Sequence, residues 1–231
     1  MSLTDVAPLR AKKWERRSDT RAGELIEAAI HCFGERGFAA TRLDDVAARA
    51  GVSKATVYLY FDSKEDLFEA VVRAAVSPSL DKMDALVERH EGTTPDLVRT
   101  LLATLETALD GPFPAMAKLV LAESGNFPEL SRVWVSLVPR RGFSLVERIV
   151  QRGVERGEFR AVDPAIVAPL IMAPVVLLGI WKHSFGKHAS MRLDRHAILV
   201  EHAETILRGL APTGAKPRKR RSRAPHTGNK P

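Results

Sequence analysis

The sequence predicts an all-α protein of about nine helices, with a small N-terminal helical unit followed by a larger one. Three observations point there. Residues 67–211 contain no strand-like alternation of any length. Apolar residues recur three and four apart through most of the chain. Helix starts carry Ser, Thr or Asp, and stops carry Gly. The chain has 231 residues, 45% apolar and 27% charged, which is material for a sizeable core and argues against disorder of the whole chain. Its one cysteine, Cys32, excludes an internal disulfide framework and a cysteine-based zinc cluster. The opening MSLTDVAPLRAKKW has no apolar export segment, so a reducing cytoplasm is the expected compartment.

Residues 1–18 are polar and basic with little periodicity and read as a flexible basic arm. Leu25, Ala29, Cys32 and Phe33, widened by Ile26 and Ile30, form the apolar stripe of a first helix. Gly37 stops it, and Phe38 folds back onto it. Thr41-x-x-Asp44 reads as a capping box for a short second helix with Leu43, Val46, Ala47 and Ala50 inward. Gly51 interrupts it. Ser53 caps a third helix running to about Phe61, and Ser63-x-x-Asp66 opens a fourth through Leu67, Phe68, Val71 and Val72. Later helices are expected over 63–90 (with Pro78 as a possible break), 95–110, 114–124, 127–156 (disturbed at Pro139), 164–186 and 192–210. Asp163-Pro164 is a cap followed by proline at the first helical position. Residues 212–231 shift to Pro, Gly, Lys and Arg and read as a disordered basic tail.

Two short helices joined by Ala-Gly-Val-Ser describe a helix-turn-helix, in which the glycine takes a backbone conformation that strains other residues. An ordinary helical hairpin has the same spacing. The segment 36–68, RGFAATRLDDVAARAGVSKATVYLYFDSKEDLF, adds more: with the preceding LIEAAIHCFGERGF it resembles the DNA-binding domain of the TetR/AcrR family of bacterial transcriptional regulators. The match runs from Arg21 to Ala70. It implies a DNA-binding domain at 19–66, with the helix-turn-helix at about 42–61, and an effector-binding and dimerisation domain at 67–211.

Side-chain directions on the third helix agree. At about 100° per residue, Val57 and Phe61 share one side, while Lys54, Ala55, Tyr58 and Leu59 point elsewhere, open to a major groove. Lys54 suits guanine O6 and N7, and Ala55 suits a thymine methyl. The resemblance implies Thr56, Tyr60 and Lys64 at phosphates, Tyr58 near base edges, and Thr41 and Arg42 at the backbone of the duplex. Asp44 is assigned to capping.

Charge is concentrated at the ends. The net charge is +7, and residues 212–231 hold seven basic and no acidic groups, leaving 28 of each sign in residues 1–211. Residues 22–70 carry five basic against nine acidic groups, so bulk charge does not mark this segment as a DNA binder. The arm residues Arg10, Lys12, Lys13, Arg16 and Arg17 suit phosphate or minor-groove contacts. Double-stranded DNA is therefore the expected partner, either for a sequence-specific regulator or for an architectural protein that relies on its basic tail.

A small reader gains specificity by pairing on a palindrome. The resemblance implies a homodimer through the last two long helices, with Leu170, Leu177, Leu178, Ile198, Leu199, Ile206 and Leu207 as contact residues. It also implies a small-molecule effector, released-repressor behaviour and a pocket in the second domain. Phe113, Met116, Leu119, Phe127, Trp134, Phe143, Met172 and Trp181 would suit a largely apolar ligand, and Glu123, Arg132 and His183 would supply polar anchors. The seventeen uncharged residues 165–181 are short for a membrane span and contain Pro169 and Pro174, so a buried helix is expected and no membrane partner. No glycine-rich phosphate loop, G-x-S-x-G or H-E-x-x-H occurs, and neither His183/His188 nor His196/His202 has helical metal-binding spacing. No enzyme activity, cofactor or metal is expected.

Overall fold

A computed structural model describes residues 7–186 and 191–212, with side chains described from Thr20 onward. Ten helices occupy these residues: α1 (Ala7–Ala40), α2 (Leu43–Arg49), α3 (Lys54–Tyr58), α4 (Lys64–Arg89), α5 (Thr94–Ala108), α6 (Phe113–Glu123), α7 (Pro128–Leu137), α8 (Pro139–Glu155), α9 (Pro164–Ser184) and α10 (Arg195–Leu210). No strand occurs among the described residues. The extra helix relative to the expected nine comes from Pro139. Val138, at φ −111° and ψ −73°, ends α7, and Pro139 opens α8 at its first position, where the missing N–H costs nothing. Pro78 acts differently. Helix α4 runs through it, held on either side by buried Val76, Leu80 and Met83.

Helix α1 starts at Ala7, inside the segment read from the sequence as an arm. Residues 9–18 consist mainly of good helix formers and contain no glycine. The basic tail from residue 213 lies outside the described residues.

Local caps follow the sequence. Ser53 Oγ accepts from Thr56 N at 3.2 Å, Ser63 Oγ from Asp66 N at 3.0 Å, and Asp163 Oδ1 from Ala165 N at 2.9 Å. Gly51 sits at φ 67° in the turn between α2 and α3, where a side chain would be strained. Gly37, at φ 80° and ψ 171°, breaks the helical path of α1, so Phe38 turns inward and is fully buried.

Two apolar cores organise the chain. One joins the second half of α4 to α5, α8, α9 and α10, around Leu97, Leu101, Ile149 and Ile171. The other joins α1, α2, α3 and the first half of α4 to α6 and α7, around Phe33, Phe38, Phe68 and Leu130. The second is aromatic at its centre. Phe38 packs 5.4 Å from Phe33, 5.6 Å from Phe68 and 5.0 Å from Phe127. Helices α6 and α7 thus share a core with the N-terminal helices, although they follow them by more than forty residues.

Helix α9 is two-faced rather than wholly buried. It is 21 residues long and apolar enough to cross a membrane by length and composition, with a third of its most apolar window buried. Val167, Ile171, Val175 and Leu178 face the core, while Ile166, Leu170, Val176 and Leu177 point outward, 41–64% exposed.

Candidate nucleic-acid interface

The helix-turn-helix is built on buried residues that aim their neighbours outward. Leu43, Val46 and Ala47 of α2 and Val57 of α3 are buried, Phe61 just beyond α3 is buried, and Val52 packs in from the turn. With Val57 fixed inside, Lys54, Ala55, Tyr58 and Leu59 are exposed; Tyr58 is 47% and Leu59 81% accessible. Leu59, at the C-cap of α3, is the most exposed large apolar side chain of the chain's described part. Helical periodicity alone places it outward. Tyr60 is half-buried against the core, 6.5 Å from the Phe61 ring. Thr56 is half-buried, with its hydroxyl 2.8 Å from Ser53 Oγ.

A groove of about 460 Å³ opens between α2 and α3, with Arg42, Asp44, Lys54, Tyr58 and Ser63 on its walls. Lys54 Nζ pairs with Asp44 across it at 3.0 Å, with both side chains more than half exposed. The Asp44 hydrogen bond, backed by its charge, raises the Lys54 pKa above the usual lysine value. Lys54 Nζ also stands 6.0 Å from the Tyr58 ring centroid.

Three expected contacts are placed differently. The N-cap of α2 is Arg42 rather than Thr41, and the capping acid is Asp45, whose Oδ2 accepts from Arg42 N at 2.9 Å. That hydrogen bond, above all, holds the Asp45 carboxyl below the usual aspartate value. Thr41 is 1% exposed, and its hydroxyl donates to Gly37 O at 2.7 Å and Cys32 O at 3.1 Å, so it fastens α1 and does not face outward. Lys64 Nζ donates to the carbonyls of Phe38, Thr41 and Ala39 at 2.8, 3.1 and 3.4 Å and lies 4.3 Å from the Phe38 ring centroid. Its three acceptors are backbone carbonyls of the protein itself, although the side chain also borders the groove. Arg42 stays exposed beside the groove.

Glu123, expected as a ligand anchor, is a structural acceptor. Its Oε1 takes hydrogen bonds from Phe38 N at 3.1 Å and Ala39 N at 3.4 Å, the amides freed where Gly37 breaks the helix. Cys32 is buried on the inward stripe of α1, and burial pushes its thiol pKa up.

The expected effector residues are divided between the two cores and the surface. Met116 is buried in the core shared with α1–α4, where Phe113, Leu119, Phe127 and Trp134 also pack; Phe113 stacks on Trp134 at 5.5 Å. Met172 packs against the other core, Trp181 tilts against Phe185 at 5.4 Å, and Phe143 is half-buried on α8. His183 Nε2 is buried without a hydrogen-bond partner, and desolvation lowers its pKa below the usual histidine value. Of the expected dimer contacts, Leu170 and Leu177 are exposed, Ile198 and Ile206 are half-buried, and Leu178, Leu199 and Leu207 lie in the core. Those last three pack within the protomer.

An all-helical chain with an N-terminal helix-turn-helix, an outward α3 and a larger helical body defines the class of helix-turn-helix transcriptional regulators. Comparison with known proteins agrees. The family model for bacterial regulatory proteins of the tetR family matches residues 25–71, and that for the tetracyclin repressor-like C-terminal domain matches residues 91–184. The chain is 27% identical over 155 residues to the HTH-type transcriptional regulator YfiR of Bacillus subtilis, covering 66% of this chain and 75% of that one. A TetR-family transcriptional regulator from Mesorhizobium loti superposes with a TM-score of 0.65 at 26% identity, over 84% of this chain and 96% of that one. FadR from Bacillus subtilis in complex with stearoyl-CoA shares the fold, with a TM-score of 0.69 at 18% identity over 81% and 98% of the two chains. The chain belongs to the TetR family of bacterial transcriptional regulators.

Proposed function

We propose that the protein is a repressor that binds a palindromic operator as a homodimer and is released by a small, largely apolar ligand. Residues 19–66 are the reader and residues 67–211 carry effector binding and dimerisation. The observation that carries the reading is the division of α3: Val57 is fully buried, whereas Lys54, Ala55, Tyr58 and Leu59 are displayed. A helix so displayed fits the major groove of B-DNA. Lys54, Ala55, Tyr58 and Leu59 read bases, and Arg42, Thr56 and Tyr60 border the phosphates. Lys64 and Thr41 support the reader from within.

Pairing is supported by the outward face of α9. Ile166, Leu170, Val176 and Leu177 are exposed apolar side chains of α9, and Val200 of α10 is half-exposed. A second copy related by a two-fold axis covers such a face and presents two readers to successive turns of the duplex. The ligand is supported by the aromatic and methionine side chains of α6, α7 and α9, and by the fold shared with a protein crystallised with stearoyl-CoA. DNA binding of this kind belongs in the cytoplasm, apart from any membrane or catalytic cofactor.

Selection from random duplexes, followed by footprinting next to the protein's own gene, tests the reading. A two-fold symmetric consensus supports it. Absence of any base preference, together with loss of nearly all affinity on removing residues 212–231, would establish the architectural alternative instead.

A further inference from the structure

Asp44 is the anomaly of the α2–α3 groove: an acid, 55% exposed, on the surface assigned to a polyanion. It is not there to cap α2, because Asp45 accepts from the N-cap amide. Its carboxylate instead holds Lys54 at 3.0 Å.

The pairing changes what Lys54 offers to DNA. Attraction to arbitrary sequence comes from counterion release, which adds a salt slope of about −0.9 for each phosphate neutralised. A lysine–aspartate pair carries no net charge and adds nothing to that term. A base edge makes different demands. Guanine presents two acceptors, O6 and N7, in the major groove. An ammonium has three protons. With one held by Asp44, two remain. We propose that Asp44 is a specificity-determining residue: it cancels the charge of Lys54 and fixes its direction, so that Lys54 serves a guanine edge and not a phosphate. The proposal rests on the DNA-reading function given above.

The test is a double-mutant cycle on the full-length protein, with two duplexes: the best one selected by the wild type and a scrambled one. Asp44→Asn keeps the shape and removes the charge. Its expected effect is a salt slope on scrambled duplex steeper by about 0.9 per bound chain, equivalent to about eightfold tighter binding at 0.1 M salt when referred to 1 M. Affinity for the selected duplex rises by less, so the ratio between the two narrows. In a Lys54→Ala background, Asp44→Asn leaves the slope unchanged, because the released cation is absent. Asp44→Glu, which keeps the carboxylate, keeps the slope near wild type. Equal melting temperatures of the variants confirm that the fold is intact.

Two results overturn the proposal. One is an unchanged ratio between the duplexes in Asp44→Asn. The other is the same Asp44→Asn effect with and without Lys54, which would make Asp44 a general repulsive charge. Failure of the wild type to select any duplex is a separate outcome: it removes the DNA-reading function and this inference with it.

Discussion

Replacing Lys64 by methionine separates two roles that the residue type alone cannot distinguish. The ammonium donates to three carbonyls, Phe38 at 2.8 Å, Thr41 at 3.1 Å and Ala39 at 3.4 Å, with the Phe38 ring beneath it at 4.3 Å. These carbonyls lie at and just past the end of α1, where the one further backbone donor among the described residues is Thr41 N, to Phe38 O at 3.3 Å. A hydrogen bond involving a charged group contributes about 1.5–3 kcal/mol, and a cation over an aromatic ring about 0.5–1 kcal/mol in a half-exposed place. The three bonds share one ammonium, and the freed carbonyls regain some water, so the net loss is about 2–3 kcal/mol. Methionine keeps the apolar stem against Phe38 and Phe127. For a chain of this size the melting temperature should fall by about 4–12 °C. Thermal unfolding followed by circular dichroism reads this directly. The salt slope of DNA binding, measured below the melting transition, should stay as in the wild type. A phosphate-contacting lysine gives the reverse pattern: unchanged melting, and a slope flatter by about 0.9 per chain. That pattern would refute the role derived from the geometry.

Other consequences can be checked alongside. Glu123→Ala strands the Phe38 and Ala39 amides and should cost about 1–3 kcal/mol in urea unfolding, with Glu123→Gln much milder because its carbonyl still accepts. Gly37→Ala forces a side chain into a left-handed conformation and brings its Cβ to 2.9 Å from Glu123 Oε1; a loss of about 1–3 kcal/mol is expected from the backbone alone, and it should persist in a Glu123→Ala background. Asp110, bound by Lys182 and Arg195, has its pKa lowered to about 2, so its share of stability is present above the unfolded value near 4 and is lost as pH falls toward 2; a carboxyl NMR titration should place its midpoint near 2, and Asp110→Asn should remove that stretch of the pH dependence. Leu177→Glu should yield a folded monomer in analytical ultracentrifugation, whereas the adjacent Leu178→Glu buries a charge and should fail to fold.

What was legible in the sequence depended on how far each residue's partner lies along the chain. Ser53, Ser63 and Asp163 cap amides two or three residues away, so their type and spacing sufficed. Thr41 looked equally like a cap, but its hydroxyl is taken by carbonyls of α1 at Cys32 and Gly37, and the capping frame slips by one residue to Arg42 and Asp45. Lys64 reaches carbonyls 23 to 26 residues back, and Glu123 reaches amides more than 80 residues back; spacing carries no trace of either. The recognition segment was readable because Val57 and Phe61 lie four apart and share one side at helical spacing, away from Lys54, Ala55, Tyr58 and Leu59. On α9 that contrast is missing. Nearly every residue is apolar, so periodicity could not tell Leu177, which is exposed, from Leu178, which is buried.

The two cores also bear on how the halves of the molecule can influence each other. The sequence boundary falls at residues 66 and 67, inside the start of α4, but the packing boundary falls elsewhere. Helices α6 and α7 are bound to the reader by Phe127 on Phe38, by Glu123 on the end of α1, and by Met116, Val120 and Leu130 in the shared core. Against α9, by contrast, α6 lies at a glycine. A Cβ on Gly179 would stand 3.2 Å from Pro114 Cβ, and Lys118 Nζ donates to the His183 carbonyl at 2.8 Å. Packed interiors transmit displacement rather than absorb it. The α6–α1 side is held by both aromatic packing and hydrogen bonds to backbone, so a displacement of α6 would be passed to α1. A ligand changes DNA affinity only by the difference in its contacts with the two arrangements, typically about 1–3 kcal/mol of coupling. Under the proposed function, the seam between α6 and α9 is where such a difference would be expressed without taking apart the core that holds the reader.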